Sequence, residues 1–303
     1  MNIGSIPQCD LLDTVRNEGI VFRIADFTIK LQSPFPEVAI NIQKLYTDYP
    51  VVGPDSFVDF HMKVISPKGL RRWYHPQVEF YFDGFRPFKP LPQKQAYAMF
   101  EWSLNWCIAN HMHSYFIVHA AVVEKDGKCI ILPAPPGSGK STLCASLVMS
   151  GWRLLSDELA LIDSNAENVF PVPRPINLKN ASIDIIRDRF PDSIFGPVIK
   201  DTAKGTVSHL KPPANSVRLA SKPSRPVWIV FPEYQVGSDV VLMKKSKAQT
   251  FMGVAKNAFN YTVLRREGFN TLVRLIDSCD CYDFRYSKID EALETFQLLL
   301  ESK

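Results

Sequence analysis

Between residues 134 and 142 the chain reads Ala-Pro-Pro-Gly-Ser-Gly-Lys-Ser-Thr. A glycine turn that closes on Gly-Lys-Ser and opens a helix can wrap phosphate oxygens in backbone amides. The lysine then reaches the outer phosphates and the hydroxyl meets Mg²⁺. Gly137, Ser138, Gly139, Lys140, Ser141 and Thr142 supply these groups, and Ala134 stands where the pattern opens with glycine. Pro135 and Pro136 fix φ and lack an N–H, which confines the donors to residues 137–142. The competing reading is a plain glycine turn between two elements.

Further residues could add chemistry to bound phosphate. Asp157 and Glu158 interrupt the apolar run "LLSDELALI". A carboxylate there suits Mg²⁺ beside hydroxyl and phosphate oxygens, or takes the proton of an attacking hydroxyl. Alternatively, one acid simply pairs with Arg153. Adjacent strand residues face opposite sides, so without a bulge only one acid reaches the site. His119, within an apolar stretch, reads either as a structural or as a catalytic histidine. Arg174 and Lys179 in "PRPINLK" are candidates for a second cation, or are surface bases beside a proline turn. His209 and Lys211 in "VSHLKPP" are weaker candidates for an acceptor-binding loop.

These groups need a frame. "SYFIVHAAVVEK" and "KCIILPA" are strand-like and joined at Asp126-Gly127, a two-residue hairpin signal. "KSTLCASLVMSG" has helical spacing with Gly151 as its stop, and "WRLLSDELALID" reads as the next strand. Strand, glycine loop, helix, strand predicts a phosphate-binding unit in a parallel α/β layer. Upstream, "GIVFRIADFTIKLQS", "FVDFHMKVIS" and "VEFYFDG" alternate as half-buried strands, followed by an extended proline-rich connector. Residues 93–112 have a helical face carrying Met99, Trp102, Trp106 and Ala109. Downstream, a helix is expected over Ser182 to Arg189, strands at "VWIVFPEY", "VVLMKK" and "CYDFRYS", a helical pattern from Lys247 to Ser278, and a final helix capped by Asp290. The expected division is a β-rich region over 1–92 and a catalytic domain over 93–303 that includes the leading helix.

Composition sets the class. The chain has 303 residues, 46% hydrophobic and 22% charged, with net charge +4. That profile is of an ordinary globular protein and does not by itself call for nucleic acid or membrane. Charge is uneven, however: residues 171–230 hold ten Lys/Arg against four Asp, so this passage faces an anionic partner or is a solvated surface. The six cysteines show no pairing pattern and read as reduced thiols. The longest apolar run is too short for a membrane and no signal segment opens the chain, so a cytoplasmic protein is expected.

The stretch from His119 through Asp163, with "DFHMKV", "LRRWYHPQV", "PFKPLP", "EWSLNWCIANH" and "WRLLSDE", resembles the HprK-related kinase A family, part of the HPr kinase/phosphorylase group. The resemblance implies an α/β fold with a P-loop kinase core of the HPr kinase/PEP-carboxykinase-like type behind the N-terminal β-rich region. It also implies ATP with Mg²⁺ and phosphoryl transfer to a serine or threonine hydroxyl of a protein or peptide. In that scheme Asp157 handles the hydroxyl proton, Glu158 and Ser141 hold the metal, His119 lies near the reacting groups, and Lys140 meets phosphate. No nucleic acid or membrane is implied, and a homo-oligomer is compatible. The glycine- and arginine-bearing signature of HPr kinases is absent downstream, which leaves the reverse activity and HPr itself outside the expectation. Two other readings stay open, a nucleotide-binding regulator without transfer and a kinase of a small-molecule hydroxyl.

Overall fold

The computed structural model describes residues 1–53, 55–69 and 74–302. Leu70 to Trp73 of the "LRRWYHPQV" stretch lie outside the described residues. The fold is mixed α/β, with three sheets and nine α-helices among the described residues.

The largest sheet owes its form to strands with two apolar faces. In β6 (Phe116–Lys125), β7 (Lys128–Pro133) and β14 (Arg225–Tyr234), residues alternate between two hydrophobic clusters. Ala121, Val123, Ile130, Leu132, Trp228 and Val230 enter one cluster, while Val118, Val122, Cys129, Ile131 and Ile229 enter the other. Near-continuous apolar runs of this kind belong to strands covered on both sides. One cover contains α4 (Lys140–Met149) and α9 (Ile289–Glu301), and the other contains α7 (Lys247–Asn257) and α8 (Tyr261–Ser278). β7, β14 and β16 (Asp280–Tyr286) run parallel, so their carboxyl ends and the glycine loop emerge on one edge.

The hairpin forms where expected. Asp126 and Gly127 both have positive φ, 54° and 77°, as a type I′ turn requires. The expected return strand differs. It is broken into β8 (Arg153–Ser156) and β9 (Leu159–Ile162), and both pair antiparallel with β6 rather than parallel with β7. The break has a local cause. The Ser156 hydroxyl accepts from the amides of Glu158 (3.3 Å) and Leu159 (2.9 Å), and the register against β6 slips beside it. A serine that offers the backbone this alternative turns the chain out of the ladder at Asp157-Glu158.

Two helical expectations are likewise corrected. The pattern from Lys247 to Ser278 divides at Ala258–Asn260, where Asn260 is buried. Its side chain accepts from the Ile117 amide (2.9 Å) and donates to the Tyr115 carbonyl (2.7 Å), tying the break to β6. The last helix starts after Lys288 with no side-chain cap. Asp290 instead lies in its first turn, paired with Arg189.

The N-terminal region forms a second sheet in the order β1 (Ile20–Ile24), β2 (Phe27–Gln32), β3 (Phe60–Ile65), β4 (Gln77–Phe82) and β5 (Leu91–Pro92). It also contains α1 (Gln8–Asn17) and α2 (Pro36–Leu45), the latter crossing between the parallel strands β2 and β3. The helix expected over 93–112 is α3 (Ala96–His111). By packing it belongs with this sheet, because Tyr97, Phe100, Leu104 and Ile108 enter its core. That core also reaches Leu159 and Leu161 of β9, so the two regions share one hydrophobic interior. A third, small sheet of β11 (Ile176–Lys179), β13 (Gly205–Leu210) and β12 (Ile199–Thr202) stands beside the glycine loop, followed in sequence by α6 (Ala214–Arg218). Between β11 and β12 lies α5 (Ala181–Arg189).

A buried polar cluster joins these parts. Glu101 of α3 accepts from Tyr46 (2.9 Å) and Tyr97 (2.5 Å) and pairs with Arg174 at 3.5 Å. Arg174 also donates to Asn105 (2.7 Å) and to the Glu101 carbonyl (3.2 Å), and Tyr49 donates to the neighbouring Pro173 carbonyl (2.5 Å). Burial pushes the Glu101 carboxyl up to about 7 despite Arg174 and the two hydroxyls. Replacing Arg174 by Leu leaves that carboxyl buried without its cation. A loss of about 3 kcal/mol is expected in urea unfolding. A loss below about 1 kcal/mol would show that the pair does not hold the joint.

Candidate active site

The glycine loop leaves β7 and folds directly into α4. Gly137 and Gly139 both take positive φ, 88° and 84°, and Gly139 is the residue before the helix. No side chain caps that helix end, so its first amides have no partner in the helix and point outward. Tyr234 at the end of β14 donates its amide to the Ser138 carbonyl (3.0 Å), and the Tyr286 hydroxyl donates to the Gly139 carbonyl (3.2 Å). A Cβ on Gly139 would stand 2.7 Å from the Tyr286 hydroxyl and 2.8 Å from Tyr234 Cβ. The loop is thus held by the ends of β14 and β16 through a contact that only glycine permits.

A cavity of about 970 Å³ opens over the loop. Gly137 to Thr142, His119, Glu158 and Lys179 all line it, which brings most of the expected residues together. Lys140 is only 7% exposed, and its Nζ lies 3.1 Å from His119 Nε2. Burial, reinforced by Lys140, pulls the His119 ring down to about 4. His119 is therefore neutral at pH 7, and its bare Nε2 accepts from the Lys140 ammonium. Burial also lowers Lys140 itself, against the pull of Glu158 and Asp157.

The two acids divide as the break in the strand dictates. Asp157 is 2% exposed and turns inward, where its Oδ2 accepts the Asn177 amide (2.8 Å). Glu158 is the acid on the cavity wall, with Asn177 Nδ2 at 3.3 Å from its Oε1. Burial and the adjacent Glu158 raise the Asp157 carboxyl. Burial acts on Glu158 too, but Lys204, Arg174 and Lys140 together outweigh it and hold that carboxyl below its ordinary range. Asp157, expected to meet the substrate hydroxyl, is not among the residues that line the cavity, and Glu158 is. The Ser156 turn delivers Glu158 to the cavity and keeps Asp157 behind it.

Other expected residues fall elsewhere. Arg174 is not on the cavity wall; it is buried against Glu101, where it serves as the counter-charge of the joint. Arg153 pairs with Glu124 and with neither acid. Lys211 pairs with Asp48 at 2.7 Å, and His209 packs edge-on to Tyr97 with ring centroids 5.4 Å apart. Both therefore face the N-terminal region, on or just after strand β13, and do not form an acceptor loop. Residues that the sequence reading passed over are Asn177, which touches both acids, and Lys204, which lines the same cavity. The local excess of basic residues was the signal for Lys204, although it did not single it out.

Oxygen donors for a small hard cation are present in Ser141 and Glu158, which line the same cavity. No cluster of three or more His, Cys, Asp or Glu able to hold a metal occurs among the described residues. Two protein oxygens of this kind would leave most coordination positions of such a cation to water or ligand oxygens. All six cysteines are free thiols, and no helix among the described residues is long and apolar enough to cross a membrane.

Residues 91–177 match the family model described as SynChlorMet cassette protein ScmC, a similarity over less than a third of the chain. The resemblance to the HprK-related kinase A family is corrected by this finding, because the model that matches the glycine-loop segment is that of ScmC. No curated protein matches the chain.

His209 carries a further consequence. It is buried, neither ring nitrogen has a hydrogen-bond partner, and burial lowers it to about 3. The unfolded chain takes up this proton below about pH 6.5 while the folded chain refuses it, so stability is complete above that pH and falls as the pH drops toward 3. His209→Leu should flatten that fall by about 2 kcal/mol between pH 7 and 5 in urea titrations. Parallel slopes for the two proteins would contradict the neutral buried ring.

Proposed function

We propose that the chain is an ATP- and Mg²⁺-dependent kinase that transfers the γ-phosphoryl group to a serine or threonine hydroxyl of a peptide or protein. The reading rests on one observation. The glycine loop and first helical turn, a buried lysine, a hydroxyl and one carboxylate line a single cavity. On this reading the protein has a P-loop type of kinase core, with the nucleotide phosphates on residues 137–142 and the base toward Tyr234 and Tyr286.

Phosphoryl transfer needs positioning and neutralisation of charge more than covalent help from the protein. Lys140 stands at the start of α4, where it meets the outer phosphates; His119 holds it in place as a neutral acceptor until they arrive. Ser141 and Glu158 would hold Mg²⁺, which neutralises the phosphate charge. The acceptor oxygen forms a bond to the γ-phosphorus as the bond from that phosphorus to the β–γ bridging oxygen breaks, and ADP leaves. The hydroxyl proton leaves late, to an oxygen of the transferred phosphoryl group, while Glu158 keeps its charge beside the metal and the acceptor. Asp157, behind it, keeps Asn177 and thereby Glu158 in place.

The withdrawal of Asp157 from the cavity favours one other reading, a regulator that binds ATP without transferring phosphate. Glu158→Gln separates the two. Transfer of labelled phosphate from ATP to serine peptides should fall by about 10²-fold or more while ATP still binds, and Asp157→Asn should fall less. Binding of Mg-ATP with no transfer by the unmodified protein would favour the regulator, and transfer undiminished in both variants would remove the carboxylates from the mechanism.

A further inference from the structure

The basic passage over residues 171–230 resolves into separate roles. Arg174 answers Glu101, Lys211 answers Asp48, Arg187 answers Asp184, and Arg189 answers Asp290. Lys179 and Lys204 are in no ion pair among the described residues, and both line the cavity. They arrive from different elements, Lys179 from the end of β11 and Lys204 from the turn between β12 and β13.

The segment that carries them is firmly built. The Lys179 amide donates to Ser182 Oγ (2.8 Å), whose hydroxyl donates back to the Lys179 carbonyl (2.5 Å). Asn180 Oδ1 accepts the Thr206 amide (3.0 Å), joining the two turns. This contact needs Gly205, whose φ is 84° and whose Cβ would stand 2.5 Å from Asn180 Oδ1. Lys204 also lies over the Trp102 ring, with Nζ 5.1 Å from its centroid. Two like charges are thus brought by fixed backbone to the cavity that the glycine loop also lines. Glu158 offsets part of the Lys204 charge, and the remaining positive charge of the pair favours an anion in the cavity.

On the kinase reading, residues 137–142 and Lys140 would already answer the nucleotide phosphates, so the nucleotide does not account for this pair. We infer that Lys179 and Lys204 receive the acceptor, and that this acceptor is a peptide whose serine is flanked by acidic residues. This rests on the kinase reading above and specifies its substrate. A peptide is favoured over a small hydroxy acid because the wall continues past the lysines to Ile185, 42% exposed, which offers a further side chain an apolar contact.

The test measures binding, so it does not depend on transfer. Fluorescent serine peptides with flanking Asp and Glu, and matched peptides with Ala, are titrated into the full chain loaded with Mg²⁺ and a non-hydrolysable ATP analogue. The acidic peptide should bind at least tenfold more tightly at low salt. Lys179→Ala and Lys204→Ala should each remove most of that preference, with affinity for the ATP analogue unchanged. Equal binding of the two peptides overturns the inference, as does a loss of nucleotide affinity in the variants, which would give the lysines to the triphosphate. Full displacement by a free hydroxy acid at peptide concentrations would also overturn it in favour of a small acceptor. A retained acidic preference with no phosphate transfer would instead count against the kinase reading alone.

Discussion

The burial of charge constrains this structure more than any other single demand. Glu101, Arg174, the adjacent acids Asp157 and Glu158, and Lys140 form a chain in which acid and base face each other from the N-terminal sheet to the glycine loop. Taking any one of them from water costs several kcal/mol unless its neighbours compensate. The pieces must therefore assemble together: α3 brings Glu101, the segment before β11 brings Arg174, and the break between β8 and β9 brings the two acids. Hydrophobic clusters fill the space around this chain and reward its closure, since the core of the N-terminal sheet extends onto β9.

From that constraint follows the unequal character of the two acids. Asp157 sits among groups that make it a better proton holder than a free carboxyl, while Glu158, surrounded by cations, keeps its charge. Adjacent positions acquire opposite tendencies because the Ser156 hydroxyl bends the chain between two strands of the same sheet. A continuous strand would have sent the pair to opposite faces as well, but without the exit from the ladder that sets Glu158 on the wall.

What could be read in the sequence was local. The hairpin at Asp126-Gly127, the glycine loop, the helix after it and the stop at Gly151 depend on neighbours in the chain, and each formed where its residues indicated. Partnerships across the chain were not legible. The segment around Asp157 reads as one strand because its apolar residues alternate properly, and only the β6 register and the Ser156 hydroxyl divide it. Arg174 reads as a free base near the site because its partner lies 73 residues upstream on another element. Lys204 was hidden for the same reason, as one of ten bases in a passage whose pairing is decided by the fold. The family resemblance rested on the stretch from His119 through Asp163 with short flanking segments, whereas the family model that matches, over residues 91–177, is that of ScmC.

The contact of Gly139 with Tyr234 and Tyr286 extends the glycine loop beyond its own nine residues. A Cβ at position 139 would meet the Tyr286 hydroxyl and the Tyr234 Cβ, so the ends of β14 and β16 can stand at that height only beside a glycine. Any side chain there would have to displace both strand ends as well as strain a φ of 84°. The mouth of the cavity is accordingly one mechanical piece, in which the loop cannot shift without carrying the ends of two strands with it.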